Sequence, residues 1–333
     1  MNSSGDRSAP PPPDATERAR VPPIPLASWV AWATRLEVRS IEVEARFDRP
    51  IRARDPLNVV ARGLLGERLR DLRCLTRAPS CAGCTEAADC DYGLVFDDAL
   101  GVAEGGSDGS GAPRPFWLQG VPASTEVAAG SALRARLLAV GPAIRALPYL
   151  DVALRGAMER LGAAPGLAVM GVHLSASRIA VAAVPALRPG TTLRIATATP
   201  VALRGNWDAA RAACPAAPWL ALLLRGAVRR LDQLATTFGG SDERPFASFP
   251  PLDDIEVLSG GLSRWTGARI SHKQQRRIPL EGLAGDVVVR GRGLAEATPL
   301  LAAAGLFGIG KLTSMGFGVL DVSTPDEETA PRR

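Results

Sequence analysis

Lysine is nearly missing from this 333-residue chain. Of 39 basic residues only Lys273 and Lys311 are lysines, and the only histidines are His173 and His272. The excess of arginine tracks an alanine-rich composition, so the total of +5 identifies no polyanionic partner; local clusters of charge must do that. Two histidines leave little choice for proton transfer near neutral pH. Long apolar runs are absent too. The longest, Pro218 to Leu224, is far too short to cross a bilayer. Residues 1–25 are rich in proline, with no apolar run and no hydrophobic leader. These absences exclude a membrane helix and lead us to expect a cytoplasmic protein with no membrane partner.

The chain is long enough for two domains of ordinary size. Leu36 to Phe47 alternates as a half-buried strand. Asp55-Pro56 then offers an N-cap and a first-turn proline to a helix carrying Leu57, Val60, Leu64, Leu65, Leu69 and Leu72, with Arg62, Arg70 and Arg73 toward solvent. Strands are expected at Tyr92 to Phe96, Phe116 to Val121 and Leu133 to Val140, a helix at Ala143 to Leu161, and a hairpin or edge pair at Leu167 to Val184. A second round follows: a strand at Thr191 to Thr199, a helix at Trp219 to Phe238, strands at Ile255 to Trp265, Arg269 to Arg277 and Asp286 to Arg292, a helix at Ala295 to Ala304, and a closing strand at Gly316 to Val322. The order is α+β: two tandem ferredoxin-like, RRM-like domains of β-α-β-β-α-β type with a C-terminal glycine-rich loop. The expected bounds are a disordered tail at 1–27, an N-terminal domain at 28–187 with an insertion at 74–90, a C-terminal RNA-binding domain at 188–323, and a disordered tail at 324–333.

Chemistry concentrates at the C-terminal end. Gly308-Ile-Gly310-Lys-Leu-Thr-Ser-Met-Gly316-Phe-Gly318 sets two GxG pairs around Lys311, Thr313 and Ser314. Backbone without Cβ atoms beside a lysine and two hydroxyls lets phosphate approach main-chain N–H groups. A plain glycine turn between a helix and a last strand is the structural alternative. Gly305 to Lys311 also satisfies the first seven positions of a nucleotide-binding P-loop, but the eighth is Leu312 and only 23 residues follow Gly310, too few for the βαβ unit such a loop opens. Just upstream, Arg269, His272, Lys273, Arg276 and Arg277 fall within nine residues.

The basic segment, the Gly282-Leu-Ala-Gly285 turn and the G-x-G-x₅-G-x-G loop, in this order, resemble the CRISPR-associated repeat-processing endoribonucleases of the RAMP superfamily. Arg62-Gly63, the cysteines ending in Cys90-x-Tyr92, Phe96, and Thr199-Pro200 before Leu203-Arg204-Gly205 extend the resemblance over about residues 36 to 322. It implies binding of CRISPR repeat RNA and guide RNA through Arg269, Arg277, Gly308, Gly310, Lys311, Thr313, Ser314, Gly316 and Gly318, and other effector-complex subunits as further partners. It also implies cleavage that needs no metal: a ribose 2′-hydroxyl attacks the adjacent phosphate, leaving a 2′,3′-cyclic phosphate and a 5′-hydroxyl. A RAMP subunit that binds guide RNA without cutting it is the alternative.

Members of that family often carry a catalytic histidine in or beside the first helix, but here Arg62-Gly-Leu-Leu-Gly-Glu67-Arg68-Leu-Arg70 has none. His272 is therefore the expected proton-transfer group, with Lys273 or Arg276 countering phosphorane charge. Arg62, Glu67, Arg68 and Arg70 are the places to look should it fail. His173, in an apolar strand, reads as a satisfied buried or edge histidine. Finally, Cys74-x₆-Cys81-x₂-Cys84-x₅-Cys90 places four thiols in 17 residues, a spacing suited to structural zinc; a redox pair and reduced free thiols are the alternatives.

Overall fold

The structure is a computed structural model; it describes residues 35–78, 81, 83–87, 89–96, 113–161, 171–203, 205–239, 249–271 and 276–325. The first half builds one antiparallel sheet from β1 (Val38–Phe47), β3 (Phe116–Gln119), β5 (Ala132–Val140), β6 (Val172–Leu174) and β7 (Arg178–Val181), in the order β3-β5-β1 with both β6 and β7 on the far side of β1. A small ribbon pairs β2 (Ile51–Arg52) with β4 (Glu126–Val127). Helices α1 (Leu57–Arg73) and α3 (Leu147–Leu161) lie side by side, and α2 (Asp91–Phe96) follows α1. Residues four apart on α1, Leu57, Ala61, Leu65 and Leu69, meet Ile41, Val43, Leu137, Leu150 and Leu154 in one fully buried cluster.

The second half repeats the scheme. Strand β8 (Thr192–Thr197) is followed by α4 (Trp207–Ala213), α5 (Pro218–Phe238), the long hairpin β9 (Glu256–Ser271) and β10 (Arg276–Arg290), α6 (Leu294–Phe307) and β11 (Leu320–Ser323). The sheet order is β11-β8-β10-β9. Counting strands within each half, both sheets read 4-1-3-2, so the two ferredoxin-like domains expected from the sequence are present.

The halves share a core. Leu36, Val38, Trp117, Leu138 and Val140 of the first sheet join α5, α6 and the second sheet in one cluster. Trp117 Nε1 donates to the Leu306 carbonyl at 2.8 Å, and Gln119 Nε2 donates to the carbonyls of Gly305 and Leu306, each at 2.9 Å. The C-terminal carbonyls of α6, which have no partner inside their own helix, are thus satisfied by the other domain.

Several expectations are corrected. Residues 269–277 are not one strand, because Ser271 and Arg276 are cross-strand partners and the two arms belong to β9 and β10. No glycine, proline, asparagine or aspartate falls between 271 and 276 to signal the reversal. Tyr92 to Phe96 is helical; Leu94 N donates to the Cys90 carbonyl at 3.0 Å, and a run this short carries no decisive periodicity. Asp55 does not cap α1; its carboxylate accepts from Ile270 N at 3.2 Å. Arg62, Arg70 and Arg73 are half-buried, while Leu72 is exposed. Strands β6 and β7 each pair with β1 rather than with each other. Helix α4 adds to the expected elements, and the Asn206 side-chain oxygen caps it by accepting from Asp208 N and Ala209 N. Residues 1–34 and 326–333 lie outside the described residues, and among the described residues no helix is long and apolar enough to cross a membrane.

Candidate nucleic-acid interface

The glycine-rich loop is a tightly folded object. Gly308, Gly310, Gly316 and Gly318 have φ of 66°, 76°, 81° and 76°, and Leu312 joins them at 66°. A Cβ on Gly318 would run into the Ile309 carbonyl oxygen, and one on Gly310 into that of Ala202. Those close approaches exist because the loop is hydrogen-bonded to itself and to the chain after β8: Ile309 N to Gly318 O at 2.9 Å, Lys311 N to Ala202 O at 3.2 Å, Gly318 N to Pro200 O at 2.9 Å, and Val319 N to Thr199 Oγ1 at 3.1 Å. Gly308, Thr313, Gly316 and Gly318 are buried, Ser314 is half-buried, and only Gly310 and Lys311 stand exposed. Most of the loop's glycines therefore shape the backbone, and its exposed surface is short and centred on Lys311. The P-loop alternative falls here as well. The order is helix, loop, strand, so Lys311 opens no α-helix onto which a nucleotide phosphate could dock.

Lys311 faces the β9–β10 hairpin. A cleft of about 620 Å³ is lined by Lys311, Trp207, Arg264, Arg269, Ile278 and Leu280, among others. Trp265 of the hairpin packs on Phe317 of the loop, ring centroids 5.7 Å apart, which fixes the two elements to each other. Arg264 is paired with Glu281 at 2.8 Å. Arg269 Nε is buried with no hydrogen-bond partner. Arg276 and Arg277 are exposed on the first residues of β10.

The hairpin also meets α1. Beside the Asp55 contact, Arg62 lies 4.9 Å over the Phe96 ring, and its buried Nε has no partner either. Burial first, then the positive charge of Arg114, holds the Arg62 pKa below the usual guanidinium value; Tyr92 acts in the opposite direction and Arg269 adds to the depression. Three arginines from three segments thus converge where the first helix meets the hairpin. Mutual repulsion and unpaired donors are what an anion relieves. Sequence reading assigned Arg62 to solvent and overlooked Arg114, Arg264 and Trp207; the surplus of arginine left nothing to mark out the ones that point inward.

A second, smaller hollow of about 80 Å³ lies behind Lys311, lined by Gly310, Arg229, Arg230 and Gln233 among others. Arg230 is buried there, bonds the Phe307 carbonyl at 3.3 Å and lies 5.5 Å over the Trp117 ring. Burial pushes its pKa down to about 10.

Of the proposed catalytic group, His272 and Lys273 lie outside the described residues. His173 is exposed on the edge strand β6, with Nε2 at 3.0 Å from Asp48 Oδ2, so it is a satisfied edge histidine and not a buried one. The four clustered cysteines are half-buried and form no disulfide. Burial pushes the Cys74 thiol up, but bonds from the Arg77 N–H, Arg70 and Thr76 outweigh that and hold it below the ordinary thiol value. Cys214 is buried, and burial pushes its thiol up.

Residues 36–201 match a family model described as an N-terminal domain, and residues 195–320 match that of the CRISPR-associated endoribonuclease Cas6. Among solved structures, Thermus thermophilus Cas6 aligns over 86% of this chain and 98% of its own at 15% identity, with a TM-score of 0.43. A RAMP protein described as binding different RNA substrates aligns over 85% and 99% at 12% identity and 0.40. A Cas6-related protein from Pyrococcus furiosus aligns over 86% and 98% at 11% identity and 0.37. A comparison with curated proteins finds no match. Tandem ferredoxin-like domains and the loop that ends the second stand beside the family match across that domain: residues 195–320 form a Cas6-type domain.

Proposed function

We propose that this protein binds CRISPR repeat RNA along the cleft between the glycine-rich loop and the β9–β10 hairpin and cuts it within the repeat, without a metal ion, to release guide RNA. The observation that carries this reading is Arg269, which lines the cleft with Lys311 and also faces Arg62, with buried unpaired donors on both arginines. Trp207 in the cleft wall offers a face for base stacking. The glycines hold the loop in place, and Lys311 with Gly310 makes its phosphate contact. Thr313, by its burial, supports the loop, while Ser314 and Arg277 sit at its edge and at the hairpin.

In the reaction, a base removes the 2′-OH proton, the 2′-oxygen bonds to phosphorus, and the 5′-oxygen leaves with a proton from an acid. His272 is assigned to proton transfer on the sequence alone. Lys273 and Arg276 counter the charge that builds on the phosphorane, and Arg269 and Lys311 hold the flanking phosphates.

Incubation with repeat RNA in EDTA tests the proposal. Fragments ending in a 2′,3′-cyclic phosphate support it, and a substrate with 2′-deoxyribose at the scissile nucleotide must stay whole. His272→Ala should slow single-turnover cleavage by about 10²- to 10⁴-fold with little loss of binding. A wild-type rate moves the search to Arg62, Glu67, Arg68 and Arg70. The absence of histidine from α1 favours a second reading, in which the protein holds guide RNA inside an effector complex with other CRISPR proteins. Tight binding with no fragment in any buffer selects it.

A further inference from the structure

Residues 74–90 run from the end of α1 to the start of α2, and among those described none belongs to the buried hydrophobic core; Leu75 is 82% exposed. Cysteine is among the most buried residue types, yet four of the five sit half-exposed in this coreless segment. A segment that buries so little needs another staple.

We propose that Cys74, Cys81, Cys84 and Cys90 bind one zinc ion as four thiolates. All four line a single cavity of about 240 Å³. Cys81 and Cys84 sit on a turn closed by Cys84 N to Cys81 O at 3.1 Å, with Gly83 at a φ of 75°, a conformation that turns the two ends of a Cys-x-x-Cys toward the same side. Cys74 is the C-cap of α1, its N–H on the Arg70 carbonyl, and the Cys90 thiol lies 3.7 Å from the Arg73 carbonyl. The first and last thiols are thus anchored by one helix turn, and the middle pair by its own turn. Among the described residues no three such side chains stand at ligating distance of a common point. Tetrahedral zinc, with bonds of about 2.3 Å, draws the thiols inward across the cavity. Each ligand gives up its proton to solvent on binding. The site that forms carries two net negative charges, beside Arg70 and Arg73.

The ion does not touch the cleft. It clamps α2 to α1, and α2 supplies Phe96, whose ring packs against Gly66 and under Arg62.

Elemental analysis of protein purified under reducing conditions without added metal should find about one zinc per chain, the stoichiometry of four ligands. Cobalt(II) added to the demetallated protein should give thiolate charge-transfer and strong tetrahedral d–d bands that saturate at one equivalent. Both signals should vanish in Cys81→Ser/Cys84→Ser. If that variant fails to fold, the wild-type cobalt spectrum still decides. A folded, reduced wild-type protein with neither zinc nor a cobalt–thiolate band overturns the proposal, as does a Cys81–Cys84 disulfide found by mass in cell-fresh protein. None of these readouts involves RNA, so this inference and the RNA reading fail separately.

Discussion

The two domains share a strand order and differ in what overhangs it. In the first, the central strands β1 and β5 pair along almost their whole length, and charges on them are matched across the pair, Glu42 with Arg136 at 3.0 Å and Glu44 with Arg134 at 3.2 Å. In the second, β10 pairs with β8 only through Asp286–Arg290, while its partnership with β9 runs on to Arg276. That free ribbon, with the glycine-rich loop beside it, carries the basic cleft. On the function proposed above, a ferredoxin-like sheet is scaffold in both halves, and RNA binding falls where the second half exceeds the common plan.

The joint between the domains offers the harshest test of this division. Trp117→Ala removes a side chain that is 1% exposed, along with its bond to the Leu306 carbonyl. We expect a loss of about 3–5 kcal/mol in chemical denaturation, with both domains affected together; loss confined to the first domain would break the picture of a shared core. Next in size is Gly318→Ala, where a forbidden contact and a positive φ combine to cost upwards of about 1–3 kcal/mol and to disorder the loop. Gly63→Ala in α1 is its control. A Cβ there meets nothing within 4 Å, so helix propensity should add roughly 0.5–1 kcal/mol of stability.

Arg269→Ala and Lys311→Ala sharpen the comparison on the functional side. Each should leave the melting curve in place and flatten the slope of log K against log salt by about 0.7 for single-stranded RNA. An Arg134→Ala protein, altered on the matched sheet of the first domain, should retain the wild-type slope. Arg62→Ala should weaken binding too, and equal salt slopes for it and the wild type would remove α1 from the interface.

The smallest effect is electrostatic. The hydrogen bond from Arg194 holds the Asp286 carboxyl below its ordinary pKa, and the pair bolts β8 to the base of the ribbon. A depressed carboxylate contributes stability above its unfolded pKa and loses it as pH falls through the folded value. Asp286→Asn should therefore cost at most about 1 kcal/mol at neutral pH, since both groups are partly exposed. The difference from wild type should shrink on acidification below the normal aspartate range; a constant difference would deny the ion pair its role.

Much of this architecture was legible in the sequence because it rests on period and punctuation. Strand β1, helices α1 and α5, and the glycine-rich loop each carry a repeating apolar pattern or a glycine spacing that one sequence displays. What escaped depended on partners far away in the chain. Asp55 looked like a helix cap until Ile270 claimed its carboxylate, and Arg62 looked solvated because nothing local announced Phe96 and Arg114 around it. The break between β9 and β10 escaped for the opposite reason, since the uniformly polar residues there include none of the usual turn formers. The candidate site was half legible: Lys311 and Arg269 of the cleft wall stand in motifs, whereas Trp207, Arg264 and Arg114 became visible only through the cleft and the converging charges.

The bonds from Trp117 and Gln119 to the last carbonyls of α6 bear on how the molecule comes apart. Those carbonyls stand two and three residues before Gly308, where the loop begins, and their acceptors' needs are met across the domain boundary. Severing the chain near residue 190 would strip the helix end of its donors and open an apolar face containing Leu300, Leu301 and Phe307 to water. Neither piece would then hold the loop's backbone in register. The protein should melt in a single cooperative transition, and an RNA-binding fragment made of the second half alone should be insoluble, however complete its motifs look on paper.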